Sequence, residues 1–399
     1  MATLLNRNLK VLWFGCFMTG TGLSIIMPIL PLYIDMLGDF TKQQLSFWSG
    51  AVAASSFLMT AIVSPLWGRL ADRYGRKPML LRASLGMSVI MVLTGFAGNV
   101  VQLLIIRAVF GLFSGFVSNA VALVAAQTPK EESGRVLGTL NTAMISGVLI
   151  GPIFGGAVAQ FFGYSHIFFI TGSLSFVAFM VTLVLVKENF TKPEKKRLGS
   201  MKEVFNKIQA RNLIFALFAS TLILQMMNMS INPILSLYVR EIIGNSGNVE
   251  LLCGVVAAAP GAASIFAAPR LGALGDRVGT HKILIFGFSL AAVLLVPMAF
   301  VTNVWQLVVL RFLFGIANGA LLPGIQALLS RNTPREATSR IFSYQQSSQA
   351  MGSVIGPLFG GAIAGLFDYH YVFFVTATLA CANLVTILVA ARKTKPAGA

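Results

Sequence analysis

The sequence predicts an all-α membrane protein whose twelve transmembrane helices form two pseudo-symmetric six-helix bundles. Three observations predict it: too little charge for water, twelve apolar stretches of spanning length, and a colinear internal repeat. Apolar residues make up 56% of the 399-residue chain and charged residues 11%, against roughly 25% charged in a typical soluble domain. With 31 Phe and 13 acidic residues, the chain cannot cover a water-facing surface with charge. Lipid must cover most of it.

Crossing a bilayer takes about 20 mostly apolar residues. Such stretches lie at 9–34, 46–67, 79–98, 100–127, 136–161, 166–186, 212–239, 250–269, 283–301, 304–329, 341–366 and 371–391. Arg7 and Lys10 precede the first with no small-residue cleavage site, so it reads as a retained helix rather than a removed signal. The long polar stretch from Lys187 to Arg211 divides an N-terminal bundle, 1–186, from a C-terminal bundle, 212–399. A peripheral amphipathic segment at 200–210 is weakly signalled within it.

A net charge of +17 raises the question of nucleic acid, and the distribution answers it. Of the 30 Lys and Arg, only Lys42 and Arg240 fall in outer loops, and Arg107 and Arg311 lie within spans. The others, Arg82 counted among them, gather in the inner loops, the tails and the linker. That asymmetry follows the positive-inside rule and places both termini in the cytoplasm. Cys16, Cys253 and Cys381 stand singly in apolar runs, and His166, His281 and His370 are isolated. No disulfide, metal set or cofactor site is expected, and an embedded enzyme or receptor would need a catalytic cluster that the chain does not show.

The repeat sets the architecture. Asn99-Val-Val-Gln-Leu-Leu-Ile-Ile-Arg107-Ala-Val-Phe-Gly111 aligns with Asn303-Val-Trp-Gln-Leu-Val-Val-Leu-Arg311-Phe-Leu-Phe-Gly315 at an offset of 204. Asp72 and Asp276 share that offset, while Thr128-Pro129 with Thr333-Pro334, Gly151-Pro152 with Gly356-Pro357, and Pro28 with Pro233 shift by 205. A substrate site where the two halves meet, near the midplane, is expected from the general logic of repeat-built transporters.

The inner loop after the second span reads Gly68-Arg-Leu-Ala-Asp72-Arg73-Tyr-Gly75-Arg76-Lys77, and its repeat Gly272-Ala-Leu-Gly-Asp276-Arg277-Val-Gly279. Glycines permit a tight turn, and a lone acid amid cations is suited to the positive N-terminus of a helix. Topology alone would account for the cations but not for Asp72 or the paired glycines. Thr128-Pro129-Lys130-Glu131 and Thr333-Pro334-Arg335-Glu336 read as capping boxes with Pro at the first helical position. Arg107 is a cation within a span, which calls for a polar cavity or a partner, with snorkelling as the alternative. In the fifth span, Gly138, Gly147, Gly151-Pro152 and Gly155-Gly156 allow close packing and a bend. Gly352, Gly356-Pro357 and Gly360-Gly361 repeat that pattern in the eleventh.

On these motifs the chain resembles the major facilitator superfamily, along its full length. The resemblance implies that Asp72 docks on the start of the eleventh span and Asp276 on the fifth, latching the cytoplasmic side in an outward-facing state. Thr280-His281 replaces Arg76-Lys77 in the second loop, which implies a weaker second latch. The glycine–proline pattern is similar to that of the antiporter branch, and the arginine matching Arg107 is linked there to proton relay. The resemblance further implies a monomeric drug–proton antiporter of a bacterial cell membrane, exporting amphipathic, often cationic compounds. An exporter of one metabolite or sugar is the second reading.

One expectation of the branch is unmet: none of the thirteen acids lies mid-span. Proton coupling therefore falls to Asp35, to Glu241, or to a network of Asp72 and Arg107. The pocket must then be apolar, aromatic and neutral-polar. Candidates from the first half are Met27, Phe113, Phe116, Asn119 and Asn141. From the second come Gln225, Asn228, Asn232, Asn318, Gln326, Tyr344 and Gln345. Each taken singly is as well explained by packing or interhelical hydrogen bonding.

Overall fold

Helix caps and breakers written in the sequence set where each span begins and bends. The computed structural model describes residues 2–129, 132–188, 190, 211–244, 248–333 and 338–393; the segment 200–210 lies outside them. Among the described residues regular structure is entirely helical. The first half comprises α1 (Ala2–Ile26), α2 (Leu30–Asp35), α3 (Lys42–Tyr74), α4 (Arg76–Thr94), α5 (Val100–Leu112), α6 (Phe116–Gln127), α7 (Ser133–Phe162) and α8 (Tyr164–Leu185). The second comprises α9 (Arg211–Ile243), α10 (Val249–Val278), α11 (Thr280–Met298), α12 (Val304–Arg331), α13 (Thr338–Leu366) and α14 (Tyr369–Lys393). Twelve helices among the described residues, with α5 and α6 taken as one, are long and apolar enough to cross a membrane.

The repeat recurs in the contacts. Asn99 and Asn303 cap α5 and α12 by accepting from the N–H groups of Gln102 (2.8 Å) and Trp305 (2.9 Å). Such caps satisfy donors that a helix start leaves unpaired. Thr60 and Ser264, 204 apart, donate their hydroxyls to the carbonyls of Gly111 and Gly315. A Cβ added at Gly111 would strike the Ser56 carbonyl, and one at Gly315 the Pro260 carbonyl. The glycines of α7 lie on α1 in the same way. Added Cβ atoms would sit 2.7 Å from the Phe17 carbonyl oxygen at Gly147, 2.8 Å from that of Thr21 at Gly151 and 2.8 Å from that of Ile25 at Gly155. On α13, Gly352 and Gly356 meet the Leu222 and Met226 carbonyls of α9 at 2.5 and 2.9 Å. In lipid, dispersion between closely approaching backbones holds helices together where water would have supplied a hydrophobic drive.

Two expected spans are broken. The first, read as one run over 9–34, turns at Met27-Pro28-Ile29 before α2. Proline has no N–H to continue the ladder, and both Pro28 and Pro31 fall here. The fourth, read as continuous over 100–127, splits at 113–115, where Gly115 has φ +109°. Its repeat partner Gly319 stays inside the unbroken α12.

The chain divides into two compact units, Met1–Glu194 with Leu235–Ala258, and Lys195–Ile234 with Ala259–Ala399. The first thus holds one end each of α9 and α10 as well as α1 to α8. Its core joins Leu12, Cys16, Leu80, Phe116, Leu123 and Leu140 from α1, α4, α6 and α7.

Candidate functional site

Four charged side chains meet within the first unit, at the end away from the Asp72 loop. Asp35 closes α2, Lys42 opens α3, and Arg240 and Glu241 lie in the last turn of α9. Arg240 Nη1 is 2.6 Å from Asp35 Oδ2, and Lys42 Nζ is 2.9 Å from Glu241 Oε2. These side chains are a third to nearly a half exposed. Nearby, Tyr164 of α8 donates its hydroxyl to Glu250 of α10 at 2.6 Å. Backbones touch beneath these pairs: a Cβ added at Gly254 would strike the Pro152 carbonyl, and one at Gly156 the Glu250 carbonyl. The Gly-Pro motif of α7 therefore packs on α1 with one face and on α10 with another. Asp35 and Glu241, both candidates for the proton, are here engaged in ion pairs. Asp35 and Arg240 stand 205 apart, the repeat offset, so they hold equivalent positions in the two halves with opposite charges.

At the basic end the loop glycines turn one helix directly into the next, Gly75 at φ +95° and Gly279 at φ +106°. Asp72 accepts from Arg76 of its own loop at 2.7 Å. Asp276 accepts from Arg331 of α12 at 2.7 Å, and Arg331 also donates to Thr280 at 3.3 Å. Thr280 occupies the repeat position of Arg76, so the second loop draws its guanidinium from another helix instead. Arg73 lies over the Tyr74 ring at 5.2 Å, and Arg277 is exposed. Among the described residues, added Cβ atoms at Gly68, Gly138 and Gly272 meet nothing within 4 Å. Sequence reasoning passes over Glu188, whose carboxylate accepts from the backbone N–H groups of Arg76 (2.8 Å) and Lys77 (2.7 Å) at the positive start of α4. Lys77 in turn donates through Nζ to the Leu183 carbonyl at 3.0 Å.

The first capping box does not start α7 at Pro129 as expected. Thr128 donates its hydroxyl back to the Val124 carbonyl at 2.6 Å, and α7 starts at Ser133 behind Glu132 without a side-chain cap. The Thr333 hydroxyl is buried and, among the described residues, unpartnered; residues 334–337 lie outside the described set.

Arg107 of α5 is 2% exposed and Arg311 of α12 5% exposed. Neither Nε has a hydrogen-bond partner among the described residues, nor does Arg107 Nη1. The Arg107 guanidinium lies 4.9 Å from the Phe110 ring centroid. Arg82, counted in the sequence as a loop cation, belongs to α4 and closes the break between α5 and α6. Arg82 donates to the Ser114 carbonyl at 2.7 Å and the Leu112 carbonyl at 3.5 Å, and stacks 3.7 Å over Trp67. The Trp67 indole donates to Leu112 at 2.8 Å. These donors satisfy carbonyls that the end of α5 would leave unpaired. Arg82→Ala is expected to cost about 2 kcal/mol, read as a lower melting temperature of the purified protein, with Arg82→Lys losing less.

The pocket candidates separate by half. Phe116 is 1% exposed, with Gly15 beneath its ring, and Phe113 packs on Gly86. Asn119 donates to the Gly115 carbonyl at 2.8 Å. Met27 is half-buried at the α1–α2 turn, while Asn141 and Gln326 are exposed. The second unit brings several together: Asn318 donates to Asn228 at 2.8 Å and Gln225 to Ser353 at 3.0 Å. The Tyr344 and Phe218 rings lie 6.3 Å apart. Asn232 contacts the Met229 sulfur at 3.7 Å. Gln345 is 3% exposed, its Nε2 unpartnered among the described residues.

Comparison with known proteins places this geometry. The family model of the Major Facilitator Superfamily matches residues 12–231 and 217–399. Relatives named multidrug resistance protein MdtG from Salmonella heidelberg and Proteus mirabilis are 48% and 47% identical over 380 residues, covering 95% of this chain and 94% of theirs. Among solved structures, a bacterial homolog of the human lysosomal transporter Spinster matches with a TM-score of 0.81 at 13% identity, covering 98% of both chains. The human organic anion transporter MFSD10 matches with a TM-score of 0.68 at 13% identity, over 96% of this chain and 99% of that one.

Proposed function

Because the chain belongs to the major facilitator superfamily, we propose that it exports amphipathic, often cationic, drugs across a bacterial cell membrane in exchange for protons, by alternating access. The multidrug-resistance relatives support the cargo class. The observation that carries the mechanism is the cluster of Asp35, Lys42, Arg240 and Glu241. On the topology expected from the charge distribution, with both termini cytoplasmic, it lies outside. The protein works as a monomer whose two bundles, 1–186 and 212–399 with the basic linker between, alternate about a site near the midplane. Asn228, Asn318, Gln225 and Gln345 are the neutral polar groups proposed to line it.

The sign of the electrostatics separates latch from proton carrier. In an exporting antiporter, proton uptake from outside must favour return to the inward-facing state. Ionised Asp35 and Glu241 hold the outer end shut through Arg240 and Lys42, so protonating them would open it. That is the wrong direction for a coupling group, so these pairs act as an outer latch. Asp72 has the right sign: ionised, it docks at the inner face and favours the outward-facing state, and protonated, it lets go. Arg107, a buried cation, is its proposed partner in the relay.

Two measurements test this reading. A panel of cationic dyes and neutral metabolites in proteoliposomes is expected to show several dyes moved; one metabolite moved and no dyes would favour the single-cargo exporter. Asp72→Asn is expected to abolish the dependence of efflux on the pH gradient, while Asp35→Asn and Glu241→Gln slow efflux but keep that dependence. The opposite pattern would assign the proton to the outer carboxylates.

A further inference from the structure

We propose that a groove between α10 and α12 binds an anionic phospholipid, with an acyl chain along the groove and the headgroup phosphate on Arg270. The groove has a volume of about 300 Å³. Its walls are apolar: Ala263, Phe266 and Ala267 of α10 face Phe312 and Ile316 of α12. Phe266 and Phe312 are 63% and 41% exposed, as side chains are that meet lipid tails rather than protein. The one charged group in the lining is Arg270, an exposed residue inside a membrane-crossing helix.

Arg270 donates to the Phe266 carbonyl of its own helix at 3.1 Å, and no carboxylate among the described residues pairs with it. The nearest acid in sequence, Asp276, is taken by Arg331. A span normally tolerates such a cation only where it is paired, or close enough to an interface to reach anions. Eight residues separate Arg270 from Val278 at the basic end of α10, about 12 Å of helix. That places the guanidinium near the depth of the phosphates, with the groove running from it toward the midplane. Basic pockets between spanning helices on this side bind acidic headgroups. A positive mouth also disfavours a cationic amphiphile as the occupant.

The first half explains why the groove is open. At the repeat offset of 204, Leu271 stands for Trp67, Phe286 for Arg82 and Ile316 for Leu112. In the first half the Trp67 indole and the Arg82 guanidinium stack and both donate to the Leu112 carbonyl, plugging the crevice between α3 and α5 with protein. The second half has neither plug residue, and Phe286 is 47% exposed. What protein fills in one half is left for lipid in the other.

Native mass spectrometry of the full-length protein in detergent tests the site, using phosphatidylglycerol and phosphatidylcholine with identical chains. Wild type is expected to retain phosphatidylglycerol about fivefold better, the worth of one cation at a membrane surface. Arg270→Gln, a change at an exposed side chain, is expected to remove that preference and leave phosphatidylcholine retention unchanged. Leu271→Trp, which restores the indole of the first half, is expected to lower retention of both lipids. Persistence of the phosphatidylglycerol preference in Arg270→Gln would overturn the proposal. So would displacement of the lipid by inorganic phosphate, which would mark a free-anion site, or unchanged retention in Leu271→Trp.

Discussion

Removing both outer ion pairs at once, in Asp35→Asn/Glu241→Gln, is expected to expose a thiol that is now sealed. Cys253 is 0% exposed on α10, with its sulfur 3.8 Å from the Ser236 carbonyl, and lies next to Gly254. It is a built-in reporter of whether α10 sits on α7. Half-exposed ion pairs contribute up to about 1 kcal/mol each, so as a latch the two together would bias closed over open by up to about thirtyfold. In a background with Cys16 and Cys381 replaced by Ser, labelling of Cys253 by a membrane-impermeant maleimide is expected to rise by about that factor. Raising salt should produce part of the same rise in the unmutated latch, since exposed pairs are screened. The swap Asp35→Arg/Arg240→Asp is expected to restore protection. Unchanged labelling in the double variant would show that packing alone closes the outer end.

Packing is the target of the second large effect. At Gly254 and Gly156 the neighbours are backbone carbonyls of Pro152 and Glu250, which cannot swing aside as a flexible side chain would. Overpacking costs about 1–3 kcal/mol where the surroundings can yield, and two rigid helices yield little. Gly254→Leu is expected to keep the fold, lose dye efflux by about tenfold or more and leave Cys253 labelled at all times. Gly138, in the α7 glycine motif against which Gly254 packs but with open space around its own Cβ position among the described residues, supplies the control: Gly138→Leu is expected to leave efflux near wild type. Equal losses at the two positions would show that the effect does not run through these backbone contacts.

The spans are legible because lipid imposes a coarse rule, apolar length, that any sequence must meet. The breaks are harder. Met27-Pro28-Ile29 carries its own breaker, yet the apolar run continues through it. The break at Gly115 has no local proline, and the groups that satisfy its carbonyls come from Trp67 and Arg82 on other helices. A charge near a span end reads as topology when only distance along the chain is counted, which is why Arg82 reads as a loop cation. Asp35 and Glu241 stand out by position, but their partners depend on how α9 meets α2 and α3. The first Thr-Pro box misleads because the hydroxyl of Thr128 has a nearer acceptor one turn back in α6.

Export of amphipathic compounds driven by protons is open to direct measurement as ethidium efflux from proteoliposomes under an imposed pH gradient. Efflux is expected to accelerate when the receiving side is the more acidic and to fall to the leak rate when a protonophore collapses the gradient. Efflux at the same rate with and without the gradient would contradict it.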